Sequence, residues 1–379
     1  MTCSGEVQNI HYGDILTKFG DVVDCSKEEI PFVADKSKLG KKISYLQNGD
    51  IIIADTAEDD AVGKATEILN IQTPVVSGLH TMACRPQFEF EPRFLGYYIN
   101  SACYHNQLYP FMQGVKVTSV SKGNIALTEI HYPANDEQHK IASMLALIDA
   151  RIEKQRTLIE SLKLYKRGVS EAIFSKKINF GCSNASWDFY TMEDLGYFYN
   201  GLSGKGKGDF GTGNSEFITY MNVYKNPISE ITMCEVVNVS ENEKQNKVQY
   251  GDVLFSQSSE TLEEVGMSSV WLHETTPYLN SFCFGFRFHN PENIYPLYIA
   301  YYMRSQEIRR GIMREGQGAT RINLSAERMK GLQLALPDIE SQKKIGNFLF
   351  CFDKQIINAE AILNETLELR KSLLQKMFI

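Results

Sequence analysis

Residues 316 to 356 read GQGATRINLSAERMKGLQLALPDIESQKKIGNFLFCFDKQI, and a weaker copy of this stretch lies 204 residues earlier in the chain. Residues 113 to 174 align without a gap on residues 317 to 378 at that offset. A repeat of this length is far outside the roughly 20 to 50 residues of solenoid repeats. The sequence therefore predicts two copies of a globular module, each followed by an appendage. The identical pairs include Gln113/Gln317, Gly114/Gly318, Ser121/Ser325, Pro133/Pro337, Gln138/Gln342 and Asp149/Asp353.

The appendage that follows each module has the pattern of a long helix. After Pro133 and after Pro337 about 40 residues contain no further proline, and their apolar residues recur at steps of three and four. Such steps place the apolar residues in one stripe along a helix. At 1.5 Å per residue each helix is expected to be roughly 60 Å long. The stripe positions that we assign to a helix–helix spacer core are Ile141, Leu145, Ile148, Ile152, Ile345, Leu349, Phe352 and Ile356.

Chain order predicts the direction of the two helices. The first helix leaves module one and ends at module two, so the second must run back along it for the two stripes to meet. We therefore predict an α+β chain in which two strand-rich modules form a tandem pseudo-two-fold repeat, separated by a long antiparallel two-helix coiled coil. Dimeric proteins use such symmetry to contact two half-sites on a duplex. The predicted boundaries are residues 1–132 for module one, 133–177 for the first helix, 178–336 for module two and 337–379 for the second helix.

Composition indicates a cytoplasmic protein. The chain has 379 residues, of which 43% are hydrophobic and 22% charged, enough to bury two ordinary cores. We find no run of about 18 apolar residues and no basic, apolar N-terminus, so neither a membrane span nor a signal peptide is predicted. The eight cysteines contain no close pair. They are typical of free thiols in a reducing compartment, and neither zinc nor disulfides are expected.

The net charge of −7 argues mildly against a nucleic-acid partner, so its distribution matters. Each module carries about −5, but cations are concentrated in equivalent parts of the repeat. Residues 93 to 122 contain three cations and no acid, and residues 304 to 330 contain seven cations and three glutamates. Paired basic stretches are what two phosphate-contacting surfaces would show. Ordinary solvated helix surface is the alternative explanation.

Motifs that would indicate catalysis are incomplete. Residues 201 to 208, GLSGKGKG, resemble a phosphate-binding loop but have Gly208 where a magnesium-binding hydroxyl is required. Residues 241 to 244 contain an E-x-K element without the preceding Pro-Asp strand of a nuclease, and no N-P-P-Y motif for adenine methylation occurs. The seven histidines show no metal-ligand spacing. We therefore predict no catalytic residue and no metal site.

The stretch 316–356 and its weaker copy PANDEQHKIASMLALIDARI, at residues 133 to 152, resemble the specificity subunit of type I restriction-modification systems. The family pattern is a target-recognition domain that ends in G-x-T and a strand, then P-x-x-E-Q-x-x-I-x-x-x-L-x-x-x-D-x-x-I opening a long helix, all twice. The first copy matches Glu137-Gln138 fully, and the second has Ser341-Gln342. The G-x-T element matches at Gly318 and Thr320, but the first copy has Gly114, Val115 and Lys116 there, with Thr118 two positions late.

The resemblance implies a DNA-reading subunit without catalysis. Each target-recognition domain would read one part of a bipartite double-stranded site, while the helices would set the spacer and dock two methyltransferase subunits. Restriction and translocation subunits would complete the assembly. No cofactor would be bound by this chain, because S-adenosylmethionine, ATP and magnesium would act on the partner subunits. The competing hypothesis is a coiled-coil scaffold whose modules bind protein or glycan.

Module one departs from the family pattern at its start. Tyr12 aligns with Tyr220 at an offset of 208, so module one lacks an equivalent of residues 175 to 208. Family members generally open each recognition domain with such a segment, which contains TMEDLGYFYNGLSGKGKG in module two. We therefore expect module one to be a truncated domain.

Candidate DNA contacts follow the short aromatic helix of each module. Arginine, glutamine and asparagine are suited to base edges, whereas lysine and threonine usually contact phosphates. A second interpretation is that the Gln-Gly elements and Thr320 only close a turn, and for the glycines this interpretation is favoured. The candidates are Gln113, Lys116, Thr118 and Lys122 in module one and Lys205, Lys207, Arg314, Gln317, Thr320, Arg321 and Asn323 in module two.

Overall fold

The structure is a computed structural model that describes residues 4–34, 43–58, 61–114, 117–178 and 187–378. It divides into two compact units. Unit one comprises residues 1–157 and 360–379, and unit two comprises residues 158–359. Each unit therefore contains one module together with a part of each long helix. No helix in the described ranges is long and apolar enough to cross a membrane.

Module one is built around a four-stranded sheet in the order β2 (Val22–Asp24), β5 (Ala65–Leu69), β3 (Ile51–Ala54) and β7 (Thr81–Cys84). The strand β3 reads IIIA and is buried throughout, because alternate side chains point into two different cores. Strand β2 runs parallel to β5, and the other pairs are antiparallel. The elements of this module are β1 (Gln8–Ile10), α1 (Tyr12–Thr17), β2 (Val22–Asp24), β3 (Ile51–Ala54), β4 (Thr56–Ala57), β5 (Ala65–Leu69), β6 (Val75–Ser77), β7 (Thr81–Cys84), α2 (Phe94–Ile99), α3 (Ala102–His105), β8 (Thr118–Ser119) and α4 (Lys122–Ile125).

The first long helix, α5 (Asn135–Phe174), has 40 residues and begins two residues after Pro133. Its start is attached to module one by Gln138, whose side chain is buried. Gln138 Nε2 donates to the carbonyl of Pro133 at 2.9 Å, and Gln138 Oε1 accepts the backbone N–H of Glu91 at 3.1 Å. The glutamine thus links the segment just ahead of the helix to the segment that precedes α2 in module one.

Module two contains a four-stranded antiparallel sheet in the order β10 (Gly196–Asn200), β17 (Cys283–Phe288), β13 (Val253–Ser256) and β15 (Ser268–Val270). In a second sheet β11 (Phe210–Ile218) pairs with both β12 (Cys234–Val237) and β16 (Tyr278–Leu279). A separate two-stranded sheet joins β9 to β19. The elements are β9 (Asp188–Thr191), α6 (Met192–Leu195), β10 (Gly196–Asn200), β11 (Phe210–Ile218), α7 (Tyr220–Lys225), β12 (Cys234–Val237), β13 (Val253–Ser256), β14 (Ser258–Ser259), β15 (Ser268–Val270), β16 (Tyr278–Leu279), β17 (Cys283–Phe288), α8 (Pro296–Tyr302), α9 (Gln306–Glu315), β18 (Ile322–Asn323), α10 (Ala326–Met329), β19 (Gln333–Leu336) and the second long helix α11 (Ile339–Met377).

The start of α11 repeats the arrangement at the start of α5. Gln342 is buried, donates to the carbonyl of Pro337 at 2.9 Å and accepts the backbone N–H of Tyr295 at 2.9 Å. The glutamine shared by the two copies of the motif is therefore a structural residue that joins each long helix to its module. The tandem repeat and the long helices that the sequence predicts are confirmed, and α5 and α11 begin and end within three residues of the predicted bounds.

Within each unit, parts of the two long helices pack in antiparallel directions. In unit one, Arg370 of α11 forms ion pairs with Asp149 of α5 and with Asp21, and Asp149 also accepts the hydroxyl of Tyr97 at 2.7 Å. Phe378, just beyond α11, joins the core that contains Ile141 and Leu145 near the start of α5. Late residues of one helix thus meet early residues of the other.

Unit two has the equivalent contacts. Lys166 of α5 pairs with Asp353 of α11, and Asp353 accepts the hydroxyl of Tyr301 at 2.6 Å. Phe174, the last residue of α5, packs in the core that contains Ile345 and Leu349. Both aspartates of the repeated motif therefore bind a tyrosine of their own module and a cation of the other helix.

The predicted spacer core divides into two kinds of position. Ile141, Leu145, Ile152, Ile345, Leu349 and Ile356 are buried, whereas Ile148 and Phe352 are only half-buried. Four of the buried side chains belong to the cores of the modules. These are Ile141 and Leu145 in module one and Ile345 and Leu349 in module two. The apolar stripe therefore attaches each helix to its own module as well as contacting the other helix.

Candidate functional site

A closed hairpin in module two carries four of the seven candidate DNA contacts of that module. The backbone N–H of Gln317 donates to the carbonyl of Asn323 at 2.9 Å, and the N–H of Asn323 donates back at 2.7 Å. Strand β18 pairs with β14, so the hairpin is fixed to the segment that follows the buried strand β13. The side chains of Gln317, Thr320, Arg321 and Asn323 are exposed. Four predicted residues are therefore brought together on one surface loop.

Module one has the same backbone pairing at the equivalent position. The backbone groups of Gln113 and Ser119 are hydrogen-bonded in both directions, at 3.1 and 2.8 Å, and β8 pairs with β4. Gln113 is exposed, Thr118 is half-buried in β8, and Lys122 is exposed at the first residue of α4. Lys116 lies outside the described residues. The repeat thus places a similar loop in each module.

The glycine of each Gln-Gly element is required by the backbone. Gly318 has a φ of 128°, and a Cβ at this position would lie 2.1 Å from the carbonyl oxygen of Arg321. Gly114 has a φ of 131°, and its Cβ would lie 1.9 Å from the carbonyl oxygen of Val117. A residue with a side chain fits neither site. These glycines close the hairpin, as the turn interpretation expected.

The charge count of residues 304 to 330 overstates the charge on the surface of module two. Arg304 donates to the carbonyls of Ser268, Val223, Tyr224 and Asn226, and Arg309 donates to those of Gly266, Glu263 and Val265. Burial lowers the pKa of each guanidinium to about 10, so both remain charged at neutral pH. The prediction that all seven cations form a surface stretch is therefore wrong for these two arginines.

The cations closest in sequence to the hairpin differ in their pairing. Arg328 lies 3.6 Å from Glu315, and Lys330 lies 2.8 Å from Glu327. Arg314, at the last turn of α9, and Arg321 are exposed and form no ion pair with any other described residue. Arg314 and Arg321 are thus the candidates whose positive charge is available to a phosphate or a base.

Lys205 does not match its prediction as an exposed phosphate contact. Its ammonium lies 2.6 Å from the carboxylate of Glu243, and its side chain is only 5% exposed. The pair joins the glycine-rich loop to the segment around Glu243, and Gln245 adds hydrogen bonds to Ser203. The cation is used inside the module, which the sequence did not reveal because its partner is 38 residues away. Lys207, in a short 3-10 turn two residues later, is exposed.

The pair between Lys205 and Glu243 has a consequence that a pH titration can test. Hydrogen bonds from Lys205, from the backbone of Ser240 and from Gln245 lower the pKa of Glu243 from 4.5 to about 2. A carboxyl group whose pKa is lower in the folded chain than in the unfolded chain stabilises the fold. This contribution is complete above the ordinary pKa and is lost as the pH falls through about 2. We expect carbon-detected NMR to show Glu243 ionised between pH 5 and 3.5. In Lys205→Met the same carboxyl should titrate near its ordinary pKa, and an unchanged titration would contradict the pair.

One element beside the hairpin was missed by the sequence reasoning. Gln257 is exposed between β13 and β14, and its carbonyl accepts the backbone N–H of Leu324, directly after the hairpin, at 2.8 Å. Asp55 holds the equivalent place in module one, where its carbonyl accepts the N–H of Val120 at 2.9 Å. The signal was available, since both residues follow a buried strand in the repeat. Gln257 is a further polar side chain at the candidate reading surface.

Comparison with protein families gives a match over nearly the whole chain. A family model described as the type I restriction modification DNA specificity domain matches residues 2–164 and again residues 184–369. The specificity subunit of the type I restriction enzyme EcoKI from Escherichia coli K12 is 23% identical over 377 residues, which is 90% of this chain and 76% of the relative. The two matched ranges correspond to the two copies of the repeat.

Solved structures share the fold at low sequence identity. The S subunit of a type I restriction-modification system from M. genitalium has a TM-score of 0.51 at 15% identity, covering 98% of this chain and 92% of its own. The HsdS subunit from Thermoanaerobacter tengcongensis has a TM-score of 0.52 at 16% identity, covering 94% and 89%. A chain from a study of type I R-M complex assembly and conformational transition has a TM-score of 0.59 at 16% identity, covering 94% and 90%.

Proposed function

Since the chain belongs to the family of type I restriction-modification DNA specificity subunits, we propose that each of its two modules reads one half of a bipartite DNA site. The family is one of non-catalytic DNA sequence-recognition subunits, and the alternative of a protein- or glycan-binding scaffold is not supported. The observation that carries the proposal is the pair of equivalent hairpins, each closed by a glycine with positive φ and paired with a short strand that follows a buried strand. A rigid support of this kind is what base reading requires.

The long helices supply candidate docking surfaces for two copies of one partner. Leu158 and Tyr165 of α5 are exposed, and so are Ile362 and Leu369 of α11. The two pairs are equivalent in the repeat, and each pair is spaced by seven residues, which places its members on one helix face. Equivalent apolar pairs fit two identical subunits. We identify these partners as methyltransferase subunits, with restriction and translocation subunits in the complete assembly.

Catalysis in the proposed assembly belongs to the partner subunits. S-adenosylmethionine would be bound by the methyltransferase subunits, and ATP and magnesium by the subunits that translocate and cleave DNA. No cofactor is assigned to this chain. Its own residues would contact the duplex and set the spacing of the two half-sites. The experiment that tests the assignment is to map methylated positions in cells that express the chain with its methyltransferase partner. A bipartite site with a constant spacer is expected, and methylation at unrelated sequences would contradict it.

Substitution of Arg321 tests the hairpin in module two. Arg321 is exposed beside Thr320 and Asn323 and has no carboxylate partner in the described ranges. A guanidinium that makes a bidentate contact to a base edge contributes about 1–3 kcal/mol. We therefore expect Arg321→Ala to weaken binding of the partner-loaded complex to its duplex by about tenfold or more. Fluorescence anisotropy at two salt concentrations would measure the loss and its dependence on ionic strength.

Arg328→Ala is the matched control for Arg321→Ala. Arg328 is also an exposed arginine of module two, but its guanidinium lies 3.6 Å from the carboxylate of Glu315. We expect its removal to change affinity by less than about threefold, because its charge is already balanced. Equal losses of DNA affinity in the two variants would contradict a special role of the hairpin. Unchanged affinity in a folded Arg321→Ala complex would contradict the assignment of Arg321 as a DNA contact.

A further inference from the structure

The central strand pair has the same register in the two modules. In module one Ile51 of β3 lies opposite Cys84 of β7, and in module two Val253 of β13 lies opposite Phe286 of β17. Both ladders continue to the last residue of β3 and of β13. The residues that follow β3 and β13 therefore occupy equivalent places, beside the segments that precede β7 and β17.

In module two the residue that follows β13 is Gln257, and it lies beside Phe282. The backbone N–H of Gln257 donates to the carbonyl of Phe282 at 2.9 Å. The carbonyl of Gln257 accepts the N–H of Leu324, directly after the hairpin, at 2.8 Å. Residues that face each other across an antiparallel pair have Cβ atoms roughly 5 Å apart. Both backbone groups of Gln257 are thus fixed, and the two side chains start from neighbouring points on a rigid support.

The side chains of Gln257 and Phe282 are available to a ligand. Gln257 is exposed and its amide forms no hydrogen bond with any residue that the structure describes, and the ring of Phe282 is 61% exposed. Next to Gln257, the carbonyl of Ser258 accepts the hydroxyl of Tyr220 at 2.6 Å. Burial raises the pKa of Tyr220, and the nearby positive charge of Arg321 acts in the opposite direction. An exposed amide and an exposed ring therefore lie on the side of module two that carries Arg321.

Module one has Asp55 and His80 at the equivalent places. The N–H of Asp55 donates to the carbonyl of His80 at 3.2 Å, and the carbonyl of Asp55 accepts the N–H of Val120 at 2.9 Å. Asp55 Oδ1 accepts the hydroxyl of Thr56 at 2.7 Å and lies 3.4 Å from His80 Nδ1. Its other oxygen, Oδ2, has no hydrogen-bond partner within the described ranges, and the side chain is partly exposed. One carboxylate oxygen is thus held in place, and the other can accept a hydrogen bond from a ligand.

We propose that Gln257 and Phe282 in module two and Asp55 in module one determine which bases the modules select, an inference that rests on the proposed reading of two half-sites. In the major groove the amide of Gln257 matches N7 and the N6 amino group of an adenine, and the ring of Phe282 contacts the methyl group of a thymine. The carboxylate of Asp55 accepts a hydrogen bond from the N4 amino group of a cytosine. The half-site of module two therefore contains an adenine and a thymine, and that of module one contains a cytosine.

The carboxylate of Asp55 selects by exclusion as well as by attraction. DNA phosphates repel a negative charge, so its approach to the duplex is favourable only where a base donates a hydrogen bond to it. Cytosine is the base that offers only a donor there, whereas adenine places the acceptor N7 beside its amino group. The amide of Gln257 is neutral and both donates and accepts, so the equivalent place in module two selects a different base.

The test is to map methylated positions and their flanking sequence in cells that express the methyltransferase partner with the parent chain or with one variant. Gln257→Ala and Phe282→Ala should relax the same half-site, at an adenine and at a thymine. Asp55→Ala should relax a cytosine position in the other half-site. In each variant the unchanged half-site shows that the chain is folded and assembled.

Gln249→Ala and Tyr250→Ala are the matched controls for Gln257→Ala and Phe282→Ala. Both control residues are exposed, and they lie ahead of β13, at the end of the strand opposite to Gln257. Removal of their side chains should leave both half-sites as they are in the parent.

Fluorescence anisotropy with the partner-loaded complex tests the individual atoms and also covers a variant whose methylation is too weak to map. A duplex with uracil in place of the thymine lacks only the methyl group, and the parent complex should bind it about fourfold more weakly. Phe282→Ala should bind the two duplexes equally. Gln257→Ala should bind the parent duplex about tenfold more weakly.

Three outcomes would overturn the inference. The first is an unchanged bipartite site in all three variants, which would leave the recognition function standing. The second is relaxation of one and the same half-site by Asp55→Ala and Gln257→Ala. The third is the absence of any bipartite site in the parent, which would contradict the proposed function as well.

Discussion

Replacing Asp252 with alanine is expected to destabilise module two by about 3–5 kcal/mol. Asp252 is almost fully buried, and its carboxylate accepts two hydrogen bonds from Arg287, at 2.9 and 2.7 Å, one from Tyr199 and one from the backbone of Gln249. Removal of the carboxylate leaves a guanidinium and a phenol without their partner. The cost is large because charged groups that lose a buried partner keep their desolvation penalty.

Urea unfolding followed by tryptophan fluorescence measures this loss. Both tryptophans, Trp187 and Trp271, belong to module two, so the signal reports on that module. Asp50→Ala is the comparison in module one, where the partner Arg85 is half exposed and no tyrosine among the described residues donates to the carboxylate. We expect Asp50→Ala to cost clearly less, as measured by hydrogen exchange of β3 and β7. Equal losses in the two modules would contradict the view that Tyr199 and β10 complete the buried cluster.

Replacing Leu349 with alanine is expected to cost about 2–5 kcal/mol in unit two, and Leu145→Ala a similar amount in unit one. Both side chains are fully buried and lie at equivalent positions of the repeat. Leu349 packs in the core with Tyr298 and Phe174, and Leu145 in the core with Phe94 and Phe378. Each substitution leaves a cavity where the long helix meets its module.

The same fluorescence transition measures Leu349→Ala, whereas Leu145→Ala needs hydrogen exchange of α2, because module one has no tryptophan. Leu147→Ala is the control, since Leu147 is an exposed residue of α5 two positions from Leu145. We expect it to change the stability of unit one by less than about 0.5 kcal/mol. If Leu145→Ala were equally mild, the first turns of α5 would not be part of the module-one core.

Local periodicity predicted the long helices well. Apolar residues at steps of three and four, with proline ahead of the start and acids in the first turn, indicate a helix wherever the rest of the chain lies. The sequence also aligned Gln138 with Gln342 and Asp149 with Asp353 as identical pairs at one offset. Their roles required the structure, since the partners of the two glutamines lie 47 residues away, at Glu91 and Tyr295.

The sequence predicted the exposure of the candidate cations less well than it predicted the long helices. A sequence shows how many cations a stretch contains but not which of them are used inside the fold. Arg304 and Arg309 bind backbone carbonyls, and Lys205 binds Glu243. Each partner is far away in sequence, so these three cations could not be separated from Arg314 and Arg321 by composition. The hairpin residues were proposed as DNA contacts because they follow the short helix of each module, and this assignment stays a prediction.

By itself, the sequence determined that the chain is a doubled protein with one long helix after each module and a family pattern at each junction. These features depend on residue spacing, which is a property of the chain alone. Tertiary structure alone decided which arginines face solvent and what the repeated glutamines and aspartates bind. Burial and strand pairing depend on residues that are distant in sequence. Only the fold shows, for example, that Ile130 and Tyr132 are exposed whereas their equivalents in the repeat, Leu334 and Leu336, are buried.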